Sequence, residues 1–478
     1  MLELASILVL GIFAQWLAWK IKQPAILPLI LIGLAIGPVS TFFTEDGSKL
    51  VDGDAIFTGD LLFSFVSIAV GVVLFEGGLT LNLKEVRSLA RTVRNLLLIG
   101  SMVTFVGGAV AAHFIMDLSW KMSFLFGALI IVSGPTVVMP ILRNVRPNSS
   151  VNTVLKWEGI LIDPLGALVA VLVYEFILSS KHGAEYPIEV LQDFFITISS
   201  GIVAGSLGAL ALYYLLKNNA LPKYLRNVFT LALVIFTFAF SELIHKEAGL
   251  MAATMMGIIL ANLKVDELKK ILSFKEDISL LLISVLFILL SSRIEFDQIE
   301  NLGTGSLLLF AVVILIIRPV GVFLSTIRSN LNWKEKVFIS WIGPKGIVAA
   351  AVASLFSLDL INSGEHVEAS EAELLLPLVF VIIVGTVVLQ GSSAKMVAGL
   401  LKVKRKEPKG ILIVGANELA RRIAYKLKEN KLYVVMVDTS VSNIKEARRM
   451  DLRAIESNIL SDNIFEEVDL SKVGKLAA

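Results

Sequence analysis

The stretch WEGILIDPLGA, residues 157–167, places two carboxylates, Glu158 and Asp163, and a proline inside a long apolar run. Ionisable side chains at hydrocarbon depth are costly and mark substrate or ion pathways. On a helix of about 3.6 residues per turn, Asp163 stands about 140° round the axis from Glu158, so the two acids face different neighbours. Pro164 removes the N–H that the Ile160 carbonyl would otherwise accept, and it disfavours helical backbone at Asp163. The expected result is a bend that carries a carboxylate and a bare carbonyl, two hard oxygen ligands for a monovalent cation. A carboxyl group kept from water holds its proton more tightly than one in solution. An arriving cation can displace that proton, and this competition suffices for antiport.

The other deep ionisable residues are Glu76, Arg318 and Lys345, with Lys156 and Glu175 nearer the ends of their runs. Two further stretches carry helix breakers at mid-depth. One is IIVSGPTVVMP, with Ser133, Gly134, Pro135 and Thr136; the other is ISWIGPKGIVAA, with Gly343, Pro344, Lys345 and Gly346. Both helices are expected to be interrupted, and irregular backbone is tolerated at membrane depth only where it is buried in protein or lines a cavity. Either Gly-Pro pair alone reads more readily as an incidental kink. The two together, in corresponding positions of two halves, point to an inverted-repeat transporter whose site lies where the broken helices meet. Lys345 would offset the carbonyl ends that face this crossing.

These residues need a membrane scaffold, and the composition supplies one. Of 478 residues, 56% are hydrophobic and only 18% charged, with a mean hydropathy of +0.80. A soluble domain carries about a quarter charged residues. About thirteen apolar runs lie between residues 4 and 394, each of about 16 to 28 residues and long enough for a bilayer core. The first lacks the basic flank of a cleavable signal and a second follows at once. Basic loops (Lys20 and Lys22; Lys84 to Arg94; Arg143 and Arg146; Lys217 to Arg226; Lys264 to Lys275; Arg328 to Lys336) alternate with acidic ones. The acidic loops carry Glu45, Asp46, Asp52 and Asp54; Glu185 and Glu189; Glu295, Asp297 and Glu300; and Glu365, Glu368 and Glu371. Basic loops stay in the cytoplasm, which places the N-terminus outside and the C-terminus inside. The absence of cysteine excludes disulfides, thiolate nucleophiles and Cys-ligated metals. The four histidines (His113, His182, His245 and His366) are scattered, which argues against a metal cluster.

Three segments follow: a transmembrane part over 1–399, a basic linker over 400–410, and a cytosolic part over 411–478. In the last, ILIVG, a glycine turn at GANELA and the strand YVVMVD form the start of a Rossmann-like α/β unit. Gly415, Asn417 and Asp438 are its candidate nucleotide contacts. Asn417 replaces the second glycine of that motif, which weakens close approach to a phosphate. The chain ends after about half of a doubly wound domain. An incomplete sheet with an unpaired edge is therefore expected, from truncation or from completion by a partner.

The membrane part resembles the cation–proton antiporter family, most closely its NhaP-type and Na⁺/H⁺-exchanger branch, over about residues 5–398. Glu158 and Asp163 match the acids of the family's sixth helix, with Ile162 where an Asn is usual. Ser133-Gly134-Pro135 stands for Thr-Asp-Pro in the fifth, and Gly343-Pro344-Lys345-Gly346 for Gly-x-Arg-Gly in the twelfth. FEGGLTLNL, with Glu76, is similar to the third helix. The resemblance implies a homodimer with a dimerisation subdomain and a core of crossed helices, working as an elevator. It implies exchange at Asp163, with Ser133, Gly134 and Thr136 around the ion, and a structural ion pair between Glu158 and Lys345. It makes Arg318 and Glu76 core-stabilising, with Arg318 capping carbonyls of a broken helix. The cytosolic part resembles the nucleotide-binding half of RCK regulators.

The reading is an electroneutral one-for-one antiporter of Na⁺, or K⁺, against H⁺ in the cell membrane. It carries no resident cofactor for transport and binds no nucleic acid. NAD(H), AMP or ATP is a candidate regulator. A nucleotide-gated cation channel or K⁺ efflux system is the alternative, but no carbonyl-lined filter motif is present. A membrane enzyme lacks a second domain to hold substrate.

Overall fold

The computed structural model describes residues 2–21, 23–44, 46–51, 53, 60–179, 186–263, 268–293, 302–362, 366–405, 410–459 and 473–477. The loop charges Lys22, Glu45, Asp52, Asp54, Glu185, Lys264, Glu295, Asp297, Glu300 and Glu365, together with His182, lie outside them. The chain divides into two compact units, Met1–Lys404 and Arg405–Ala478.

The first unit is helical: α1 (Leu2–Ile21), α2 (Ile26–Ile36), α3 (Asp60–Leu79), α4 (Ala90–Met116), α5 (Trp120–Leu129), α6 (Pro135–Val145), α7 (Ser149–Ser179), α8 (Tyr186–Lys217), α9 (Arg226–Ile244), α10 (Ala248–Asn262), α11 (Leu268–Ser292), α12 (Gly303–Ser325), α13 (Trp333–Trp341), α14 (Ile347–Asn362) and α15 (His366–Leu400). Among the described residues, seven helices are long and apolar enough to cross a membrane alone: α1, α4, α7, α8, α9, α12 and α15. Exposed Val9, Ile12, Phe13 and Trp16 on α1, and Leu307, Leu308, Leu315 and Ile316 on α12, form apolar outer surfaces that suit lipid. Small residues bring helices close inside the bundle. A Cβ on Gly78 of α3 would fall 2.6 Å from the Thr254 carbonyl of α10, a contact only glycine permits.

Both stretches with mid-depth breakers are interrupted. The helix stops at Leu129, and after an irregular link α6 starts with Pro135 in its first turn, where a missing N–H costs nothing. A second link joins α13 to α14 across residues 342–346. The ends of these half-helices are capped from outside. The backbone N–H and hydroxyl of Ser119, which starts α5, donate to the Glu371 carboxylate of α15 at 3.1 and 2.6 Å. This sets an anion at a helix N-terminus, where the helix dipole favours it. Asn332 and Glu335 form a reciprocal capping box at the start of α13.

The helix carrying both acids differs from expectation. α7 runs from Ser149 to Ser179 without a break at Pro164, so the loss of helical backbone expected at Asp163 does not occur. A proline is tolerated in a packed membrane helix because its neighbours hold it in line. Here Trp157, Ile160, Ala167 and Leu168 are all buried. Tyr174 stacks flat on Phe356 of α14, with ring centroids 4.2 Å apart. Lys156, nearer the helix start, reaches the Thr80 carbonyl at the end of α3.

Asn148 begins α7 and joins three segments. Its Oδ1 accepts from the Val151 N–H at 3.0 Å, its Nδ2 donates to Glu335 of the α13 capping box at 2.7 Å, and its own N–H donates to the Val403 carbonyl at 2.8 Å. Pro147 and Lys404 form an antiparallel bridge beside it.

The second unit contains β1 (Gly410–Val414), α16 (Glu418–Glu429), β2 (Val434–Asp438), α17 (Val441–Arg449), β3 (Arg453–Glu456) and β4 (Val473–Ala477). The strands form a parallel sheet in the order β3-β2-β1-β4, with Ile411 opposite Val434 and Val435 opposite Arg453. Ile413, Met436, Ala424, Ile444 and Ala447 pack on one face. The edge of β1 expected to be open is paired by β4. That strand, VGKLA, is mostly exposed and lacks apolar alternation, so its pattern gave no strand signal.

The two irregular links of the first unit cross at glycine on glycine. A Cβ on Gly346 would lie 2.5 Å from the Gly134 Cα, and one on Gly134 would lie 2.8 Å from the Gly346 Cα. Both obstacles are backbone, so neither can rotate away. Gly346→Ala is therefore expected to destabilise the membrane unit by about 1–3 kcal/mol, the usual cost of overpacking. A lowered melting temperature in detergent checks this against Gly399→Ala, where the nearest atom is the flexible end of Lys404 at 3.5 Å.

Candidate functional site

The crossing is held by a hydrogen bond from one link to the other: Ser133 Oγ donates to the Pro344 carbonyl at 3.0 Å. The middle of α7 lies against it. Asp163 is 2% exposed, its Oδ1 has no hydrogen-bond partner, and its carboxyl faces the Ser133 backbone N–H and the charge of Lys345. An unsatisfied buried oxygen is costly, and this one faces two helix breaks. Thr136, in the first turn of α6, is also buried with an unpartnered hydroxyl. Gly134 offers no oxygen to this space through its carbonyl, which accepts from Val137 and Val138 at 3.1 Å each.

Thr136 opens onto a cleft of about 540 Å³. Glu76 and Thr80 of α3, Arg143 of α6 and Ser279 of α11 line it with Thr136. Ser279 was not singled out from sequence, yet its hydroxyl too is buried without a partner. Glu76, expected as a core-stabilising acid, is half-buried and faces this cleft.

The expected ion pair is corrected. Glu158 pairs with Arg318, not with Lys345: Nη1 and Nη2 of Arg318 donate to the two Glu158 oxygens at 2.5 and 2.9 Å. The same Nη2 donates to the Ile342 carbonyl, also at 2.9 Å, at the end of α13. A planar guanidinium can grip a carboxylate with two parallel bonds and cap a carbonyl at once, which a lysine ammonium cannot match. Local structure delivers Arg318 to this place. Pro319 follows it, and a π turn over Val313–Ile317 precedes it, so α12 is re-aimed just where the guanidinium leaves the helix. Among the described residues Lys345 makes no ion pair with Glu158. It is buried and lines a small cavity of about 280 Å³ with Arg318, Thr104, Thr386 and Gln390.

Other partners of the second link were also missed from sequence. The Gly343 N–H donates to Gln390 Oε1 at 2.9 Å, the Lys345 N–H to Thr386 Oγ1 at 3.1 Å, and Trp341 Nε1 to Ser393 Oγ at 2.9 Å. All three acceptors belong to α15. Their signal was present as polar residues spaced i, i+4 and i+7, one face of an otherwise apolar helix.

In the second unit, Gly415 adopts φ +94°, which a side chain would strain, and Asn417 caps α16 through the Ala420 N–H. Asp438, the expected ribose contact, is already engaged. It accepts from the backbone N–H groups of Ala416 at 2.7 Å and Ser440 at 2.9 Å, and from the Asn443 amide at 2.9 Å. Burial acts to raise its pKa, but these donors outweigh it and hold the carboxyl below its ordinary range.

Known proteins are similar to this chain in fold and sequence. A sodium–proton antiporter of Methanocaldococcus jannaschii, solved at pH 8, superposes with a TM-score of 0.71 at 25% identity, covering 84% of this chain and 99% of that one. Na⁺/H⁺ antiporter 1 of the same organism is 27% identical over 84% of this chain and 96% of its own length. The K⁺/H⁺ antiporter NhaP of Alkalimonas amylolytica is 24% identical over 89% of this chain and 72% of its own. The family model described as "Sodium/hydrogen exchanger, transmembrane" matches residues 4–399. With this match spanning the whole membrane unit, and with two broken helices crossing beside a buried aspartate, the chain belongs to the transmembrane sodium/hydrogen exchanger family.

Proposed function

We propose that this chain is a secondary transporter that exchanges a monovalent cation, Na⁺ with K⁺ as the alternative, for H⁺, with Asp163 as the exchanging group. One observation carries this reading: the Asp163 oxygen left without a partner at the crossing of two broken helices. Proton and cation compete for that carboxylate. The hydroxyls of Thr136 and Ser279, with Glu76, supply oxygen along the cleft that reaches the first turn of α6. The family match and the antiporter names of the relatives support the reaction class. The choice between Na⁺ and K⁺ turns on a site in which the buried Ile162 stands where the family resemblance leads one to expect Asn. One exchanging carboxylate gives one-for-one, electroneutral exchange on the condition that Lys345 holds its proton through the cycle.

The remaining features follow the same reading. The chain crosses the membrane about thirteen times, each broken pair counting once, with its N-terminus outside and its C-terminus in the cytoplasm. The positive-inside pattern of the loops supports this orientation. The cleft with Glu76 and Arg143 then opens to the cytoplasm. The crossed helices and α7 move as one body against a scaffold that dimerises, in the manner of an elevator. The second unit is an RCK-like regulator in which a nucleotide would compete with the Ala416 N–H for Asp438.

Everted vesicles carrying the protein are expected to show cation-dependent dequenching of a pH dye, and Asp163→Asn is expected to abolish it at every pH tested. Dequenching retained by that variant would refute exchange at Asp163, and a cation current without proton movement would indicate a channel. Arg318→Ala leaves the Glu158 carboxylate buried and unpaired, which costs about 3–5 kcal/mol for such a pair. Its melting temperature in detergent should fall well below wild type, whereas Lys345→Ala, which breaks no ion pair with Glu158, should fall less.

A further inference from the structure

The link between α13 and α14 has a backbone inventory that can be followed group by group. The Ile342 N–H closes the last turn of α13 on the Phe338 carbonyl. The Ile342 carbonyl accepts from Arg318, Pro344 has no N–H, and its carbonyl accepts from Ser133. The N–H groups of Gly343 and Lys345 have no helical partner. A single helix outside the crossing takes both: Gln390 Oε1 and Thr386 Oγ1 of α15, each 1% exposed. Thr386 is itself oriented, because its hydroxyl donates to the Ile383 carbonyl at 2.9 Å and presents its lone pairs to Lys345. The Thr386, Gln390 and Ser393 stripe therefore meets Lys345, Gly343 and Trp341 in antiparallel order, the first two through backbone N–H groups of the link and the last through the indole N–H at the end of α13.

We infer that Thr386 and Gln390 are positioning residues for the ion site. They fix the height and direction at which Lys345 and the Pro344 carbonyl meet Asp163 and Ser133. Neither side chain touches the exchanging carboxylate. They act through the backbone of residues 343 and 345, whose placement sets how strongly the lysine charge competes with the transported cation at Asp163. A buried N–H deprived of its acceptor is costly, and the link relieves that cost by turning toward another. Rotation of the link re-aims Lys345. The outcome differs from simple loss of stability, because binding of the cation changes while the fold remains. This inference rests on the exchange reading proposed above.

The test is cation-driven exchange in proteoliposomes, with Na⁺ and K⁺ each titrated, on wild type, Asp163→Asn, Thr386→Val, Thr386→Ser and Gln390→Leu, together with melting temperatures of each. Thr386→Val keeps shape and removes the acceptor. It is expected to change the apparent KM for the cation by at least about 3-fold, with a smaller change in maximal rate per folded transporter. Thr386→Ser, which keeps the hydroxyl, is expected to stay near wild type. Gln390→Leu should move KM in the same direction as Thr386→Val. An unchanged KM in Thr386→Val, with only a lower melting temperature or yield, would overturn the inference while wild type and Asp163→Asn still uphold exchange. Equal behaviour of the serine and valine variants would overturn it as well. Absence of exchange in wild type would defeat both readings.

Discussion

The structure depends on satisfying backbone groups where two helices are broken inside a membrane. Each break frees N–H and carbonyl groups in a medium with no water to receive them, at a cost of several kcal/mol apiece. The chain meets this from three directions. One link donates to the other through Ser133, Arg318 caps the carbonyl at the end of α13, and α15 receives the N–H groups of Gly343 and Lys345. Only glycine at positions 134 and 346 lets the links come close enough for this to work. The free oxygens of Asp163 and Thr136 stand out because so much of the backbone around them is paired.

The two acids of α7 illustrate how one helix separates structural from functional charge. Glu158 is held by two parallel hydrogen bonds and is already neutralised by its partner. Asp163, little more than one turn later, has no such partner. Because α7 continues through Pro164, the fixed pair and the acid sit five residues apart on one unbroken helix. A bound pair of opposite charges adds little to the field at Asp163 compared with one bare charge at the same distance. Lys345, which makes no ion pair with Glu158, is the cation whose charge acts on Asp163.

Much of this was legible in the sequence, and the misreadings have physical causes. Acids and helix breakers stand out at membrane depth because composition there is otherwise apolar, so Asp163, Glu158 and both interruptions could be read from residue type alone. The partner of Glu158 could not. Arg318 and Lys345 are both deep cations, and the choice between them is made by a π turn and by the reach of a guanidinium, neither of which leaves a pattern in residue spacing. Pro164 was over-read: its bias against helical backbone at Asp163 is overcome where Ile160 and Ala167 are packed on both sides of it. The polar stripe on α15 was readable at helical spacing, but hydroxyl and amide side chains in a membrane helix attract less notice than charges. β4 carried no apolar alternation to mark it.

The hydrogen bonds of Asn148 have a mechanical meaning. The polypeptide leaves the membrane unit just after Val403 and Lys404, and there it is stitched to the residue that starts α7 and, through Glu335, to the cap of α13. Any pull on the chain beyond Lys404 is thus borne first at the foot of the helix that holds Asp163 and at the foot of one broken helix.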